Sequence, residues 1–164
     1  MSMVNYLRRA TADEVAGLSA DPSQLSELVF SEAHEDRVID FDRAWHALHF
    51  LLTGYSGWSE HPLNMLVTDD AHLIGTNEHG FGGYWLIDPA GVRTFADALA
   101  EISDDDLASR YDPAAMTAEY IYMSDVFEEE GSEALPYIMQ GVPDLRNFAR
   151  AAADDGNYVI GVAS

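Results

Sequence analysis

Apolar residues return every three or four positions along several stretches of this chain, and each such stretch predicts an amphipathic helix. The clearest covers residues 40–53, where Phe41, Trp45, Leu48 and Leu52 share a face and Gly54 supplies a stop. Residues 144–154 carry a stripe of Leu145, Phe148, Ala149 and Ala152, closed by Gly156. A third helix opens at Asp88-Pro89 and buries Val92, Phe95, Ala96 and Leu99. Residues 117–130 predict an aromatic helix with Tyr120, Met123 and Phe127 inward, broken by Gly131. Start signals mark shorter helices: the Thr11-Ala-Asp-Glu14 capping box, Asp21-Pro22, Ser103 and Asp112-Pro113. A weaker helix over 132–140 is interrupted by Pro136.

Alternating β-formers predict strands at 3–7 and 157–163, with two more at 72–76 and 83–87 around a glycine-rich turn. Residues 63–67 fit strand or helix equally, and 55–62 read as a loop. Strands at both ends with helices between them predict one α/β domain over 1–164. It is helix-rich, with a small mixed sheet packed between helices in a layered αβα arrangement.

Composition narrows the chemistry. The 164 residues are 48% hydrophobic, enough for a core and too apolar for a disordered acidic chain. Eight basic residues, all Arg, face 29 carboxylates, for a formal net charge of −21. Such a surface repels phosphate backbones and anionic lipid heads, which excludes direct nucleic-acid or membrane binding, and it attracts cations or basic proteins. The same excess also fits a soluble acidic face produced by a coding habit or a salt-adapted proteome. No cysteine excludes disulfides, thiolate nucleophiles and Cys-ligated zinc, and no lysine excludes a Schiff base or a phosphate-loop lysine. The opening residues lack a signal-peptide apolar run, and no stretch approaches the ~20 apolar residues of a membrane span, so the cytoplasm is expected.

Four segments are candidates for chemistry. His46 and His49 stand three apart on the helix of Trp45, with Asp42 one turn before His46 as an orienting carboxylate. With a distant third ligand such as His61 or His79, the pair can make a metal site; the competing reading makes both rings packing residues tied to nearby polar partners. Residues 77–85 set glycines between aromatic residues, as a ligand-binding turn or a plain hairpin turn would, but Trp85 stands where a dinucleotide fingerprint needs its third glycine. Gly54-Tyr-Ser56-Gly57-Trp58 fails the nucleophile-elbow pattern because Trp58 replaces a required glycine. The acidic runs Asp104–Asp106 and Glu128–Glu130 lack calcium-loop spacing; the first suits a helix start, whereas the second lies at a helix end, where negative charge gains nothing.

The segment from Asp42 to Gly54, with its Trp45-His46-Ala-Leu-His49 core, resembles the signature helix of the YfbM-like bacterial proteins (domain-of-unknown-function family 1877). The opening strand, the Gly80–Val92 turn and helix, Ser109–Pro113 and the closing helix and strand are similar in order. The chain departs from the family at Gly82-Gly-Tyr-Trp85, where a Gly-Pro-x-Arg-Tyr-like segment is expected. The resemblance implies a small sheet between helices and no activity. Two functions are therefore expected from the residues. The first is a non-catalytic binding or interaction module, of inhibitor or immunity type, for a basic protein. The alternative is a small-molecule or metal-dependent enzyme in which His46 and His49 act with Asp42, in a pocket walled by Trp45, Trp58, Tyr84 and Trp85. That alternative requires both imidazoles to open onto one cavity.

Overall fold

The computed structural model describes residues 2–77 and 81–164. Among them, five strands form one sheet: β1 (Asn5–Ala10), β2 (Val38–Asp40), β3 (Leu73–Thr76), β4 (Phe81–Ile87) and β5 (Tyr158–Ala163), in the order β2-β1-β5-β4-β3. The sequence predicts a mixed sheet; every pairing here is antiparallel. β5, the last strand in the chain, lies at the centre, with Leu7 opposite Gly161 on one side and Trp85 opposite Gly161 on the other.

Successive strand residues face opposite sides, which divides the core in two. Ile160 and Val162 of β5 and Tyr84 of β4 face α1 (Ala12–Ala20) and α2 (Gln24–Phe30), where Leu18, Leu25, Leu28 and Val29 cover them. Leu7, Trp85 and Val159 face the larger core on the other side. That core is built by α3 (Trp45–Thr53), α4 (Pro89–Glu101), α5 (Asp104–Ser109), α6 (Pro113–Ala118), α7 (Ser124–Glu130), α8 (Leu135–Met139) and α9 (Val142–Asp154). The layered αβα arrangement is present, with unequal layers.

Local chemistry explains most boundaries. Thr11 and Glu14 close the predicted capping box at α1, and Asp88, Ser103 and Asp112 cap α4, α5 and α6 through their side chains. Two helices differ from expectation. The predicted 40–53 helix begins only at Trp45, because Asp40 ends β2 and Asp42 turns the chain at φ 48°. The predicted 117–130 helix is two helices. Tyr120 takes φ 57°, and Ile121 N–H reaches back to the Met116 carbonyl, so the chain leaves α6 through a left-handed cap that buries Ile121. Tyr120 therefore points outward, 90% exposed, rather than into the core.

The C-terminal ends of α2, α3 and α4 carry no basic residue of their own. Arginines from elsewhere occupy them. Arg8 donates to the Leu28 carbonyl at 3.1 Å, Arg110 to Leu51 and Leu52 at 2.9 and 3.3 Å, and Arg146 to Leu99 and Ile102 at 2.5 and 2.7 Å. Each guanidinium meets carbonyls of a helix's last turn or cap and the negative end of its dipole.

Candidate functional site

Between α3 and β3, residues 54–69 carry no helix or strand. Irregular segments longer than about 12–15 residues in a compact fold are commonly functional or disordered. This one is held in place. His46 Nε2–H donates to the Ser56 carbonyl at 2.7 Å and His49 Nε2–H to the Gly57 carbonyl at 3.0 Å. Trp85 Nε1–H donates to the Met65 carbonyl at 3.0 Å, Asn5 Nδ2–H to Leu66 at 2.7 Å and Asn64 Nδ2–H to Val67 at 3.0 Å. Donors from β1, α3 and β4 thus fix a backbone that has no ladder of its own.

The segment forms one wall of a hollow of about 350 Å³. Trp45 and His46 of α3, Trp85 of β4, Leu66, Val67 and Leu73 supply much of its surface, and the acidic residues Asp69 and Asp70 also line it. Trp45 is locked by a 3.0 Å bond from its indole N–H to the Met3 carbonyl, and its ring stacks on His46 with centroids 4.9 Å apart. Trp85 lies flat across Gly161, where a Cβ would come within 2.1 Å of its ring.

The hydrogen bonds fix the state of both imidazoles. A carbonyl can only accept, so Nε2 of His46 carries the proton, and its Nδ1 accepts the Tyr122 backbone N–H at 2.9 Å. Both nitrogens are engaged in the neutral form, and burial pushes the His46 pKa below the usual imidazole range. His49 is fully buried; burial, opposed by the Gly57 carbonyl and reinforced by His46 and His61, lowers its pKa to about 4. Its Nδ1 has no hydrogen-bond partner among the described residues.

The two rings therefore do not share an opening. His46 lines the hollow and His49 lies sealed beneath it, so the geometric condition for a paired imidazole site is not met. Asp42 does not orient His46: its carboxylate accepts the Tyr137 hydroxyl at 2.9 Å, while other groups take both His46 nitrogens. Among the described residues no three His, Asp or Glu side chains converge to hold a metal. His61 Nδ1 is engaged by the Leu63 backbone N–H at 3.0 Å, and His79 lies outside the described residues.

Of the expected walls, Trp45 and Trp85 belong to the hollow. Trp58 stacks on His72 instead, with centroids 4.4 Å apart. Tyr84 neighbours Trp85 in sequence and so faces the opposite side of the sheet, where it lines a separate cavity with Leu25 and Ser26. Leu66, Val67, Asp69, Asp70 and Leu73 are among the wall residues that sequence reasoning missed. The one signal was the stretch 55–71, which shows no clear period.

Residues 1–162 match the family model described as Domain of unknown function (DUF1877). A crystal structure of YfbM from Escherichia coli, described as a protein of unknown function, shares the fold at a TM-score of 0.71 and 20% identity, covering 98% of this chain and 99% of that one. No curated protein matches the chain.

Proposed function

The chain belongs to the DUF1877 family, a domain of unknown function, and from that premise, which brings a fold and no activity, we propose that it is a non-catalytic binding module for a basic protein, of inhibitor or immunity type. The observation that carries this reading is the placement of the cations. Arg8, Arg110 and Arg146 are committed to helix-end carbonyls, and Arg9, Arg37 and Arg150 to carboxylates. Among the described residues only Arg43 and Arg93 have a side chain without such a partner, against 29 carboxylates in the chain. Arg146 also pairs with Asp104 at 2.8 Å, but no arginine pairs with Asp105, Asp106 or the exposed Glu128–Glu130 run among the described residues.

A field of this sign accelerates encounter with a basic partner and loses that effect as salt screens it. Purified protein used as bait is expected to retain a basic protein at low salt and to release it at high salt. Recovery of no basic partner at low salt overturns the proposal. The alternative enzyme draws no support from His46 and His49, whose donor and acceptor atoms hold the fold together.

A further inference from the structure

We propose that the hollow beside α3 is a receptor for a small organic cation, an amine or quaternary ammonium attached to a flat apolar body. The proposal is independent of the basic-partner reading, because it concerns a cavity rather than the outer surface. Three observations lead to it.

The first is the lining. At about 350 Å³ the hollow lies within the range of small-molecule sites, roughly 300–1,000 Å³. Its walls include two tryptophans and the aliphatic Leu66, Val67 and Leu73, and among the described residues no arginine lines it. Aromatic walls attract cations through the ring quadrupole as well as apolar surface through burial.

The second is the charge in the lining. Asp69 accepts from the ring and the backbone N–H of His72, and the His72 hydrogen bond holds its pKa below the usual carboxylate range. Asp70 is exposed, and among the described residues its carboxylate has no hydrogen-bond or ion-pair partner. An apolar body seated in the hollow lies beside these two acidic lining residues, and the −21 chain adds to the attraction for a positive group.

The third is rigidity. Both indole N–H groups are anchored to backbone carbonyls, and the wall segment is pinned by donors from three other elements. A preformed cavity spares the ligand the ordering cost that a loose loop would impose. His46, the one imidazole in the lining among the described residues, has both nitrogens engaged, so it is not free to transfer a proton to a bound ligand.

The test uses phenethylamine, its neutral counterpart 2-phenylethanol and the anion 3-phenylpropionate, titrated into the full-length protein and followed through the indole N–H signals in ¹H–¹⁵N NMR spectra. The amine is expected to shift the signals of Trp45 and Trp85, to leave Trp58 unmoved, and to bind roughly tenfold more tightly than the alcohol, a difference of about 1.4 kcal/mol. The anion is expected not to bind. Asp70→Asn should remove most of the preference for amine over alcohol while leaving alcohol binding intact. Val67→Trp should fill the cavity and abolish both, with its own spectrum reporting that it is folded. Equal binding of amine and alcohol, an undiminished amine preference in Asp70→Asn, or shifts confined to residues outside the hollow would each overturn the proposal.

Discussion

At the residue scale, a buried imidazole and a half-buried carboxylate set how this protein responds to acid. His49 has a pKa near 4 in the fold against 6.5 when free, so below 6.5 the unfolded chain binds more protons. Stability is complete above about pH 6.5 and falls as the pH drops toward 4, by roughly 3 kcal/mol from this group. His49→Gln keeps a donor for the Gly57 carbonyl and removes the titration; urea unfolding across that window should show a shallower pH slope than the parent. Glu14 works in a lower window. The buried Arg8 guanidinium holds its pKa at about 2, through bonds of 2.9 and 2.7 Å, with Arg37 beside it. Its contribution is present above about pH 4.5 and is lost as the pH falls toward 2. Glu14→Gln leaves Arg8 buried with a weakened partner, and should cost about 2–4 kcal/mol at neutral pH, measured by the same unfolding experiment. The sequence showed Glu14 as a capping residue, and so it is. It could not show that Arg8 comes to rest at 0% exposure against it, because alternation alone does not say which strand face a helix will cover. For His46 and His49 the spacing correctly gave one helix, but the partners that fix their role come from Ser56, Gly57 and Tyr122, whose approach no local pattern encodes.

At the element scale, starts were legible and some stops were not. Side-chain caps at Thr11, Asp88, Ser103 and Asp112 are written in consecutive residues, and the structure uses each as a cap. Gly54 and Gly156 end α3 and α9 at φ 78° and 65°, as glycine allows. Tyr120 and Met123 take the same backbone region without being glycine, which is why 117–130 read as one helix. The 38–40 strand escaped notice because three residues are too few to display a period. Helix ends closed by distant arginines are equally invisible in sequence. Arg110→Met should preserve the packing of the stem, free the Leu51 and Leu52 carbonyls and cost about 1–2 kcal/mol, with faster amide exchange in the last turn of α3. Gly161→Ala should be worse: a methyl group within 2.1 Å of the Trp85 ring must displace it. A loss of about 3 kcal/mol and a changed near-ultraviolet tryptophan signal are expected.

At the scale of the whole molecule, charge and topology act on different properties. A net charge of −21 strains the compact state through self-repulsion, so the melting temperature should rise as salt increases from low ionic strength to about 0.1 M, where the screening length is about 10 Å. A melting temperature that falls over this range would show that specific ion pairs outweigh the bulk field. Composition revealed the charge, and the order of elements revealed a sheet between helices; strand order was hidden, because pairing partners lie far apart in sequence. That order has a consequence for assembly. β5 is the last of the five described strands to be synthesised, and in the sheet it joins β2-β1 on one side to β4-β3 on the other. Until it emerges, a growing chain holds two separate ribbons with open inner edges, and the final strand must slot between them like a keystone. Completion of the sheet thus waits on the synthesis of residues 158–163, and a chain stalled shortly before Tyr158 would present two sticky edges to its neighbours.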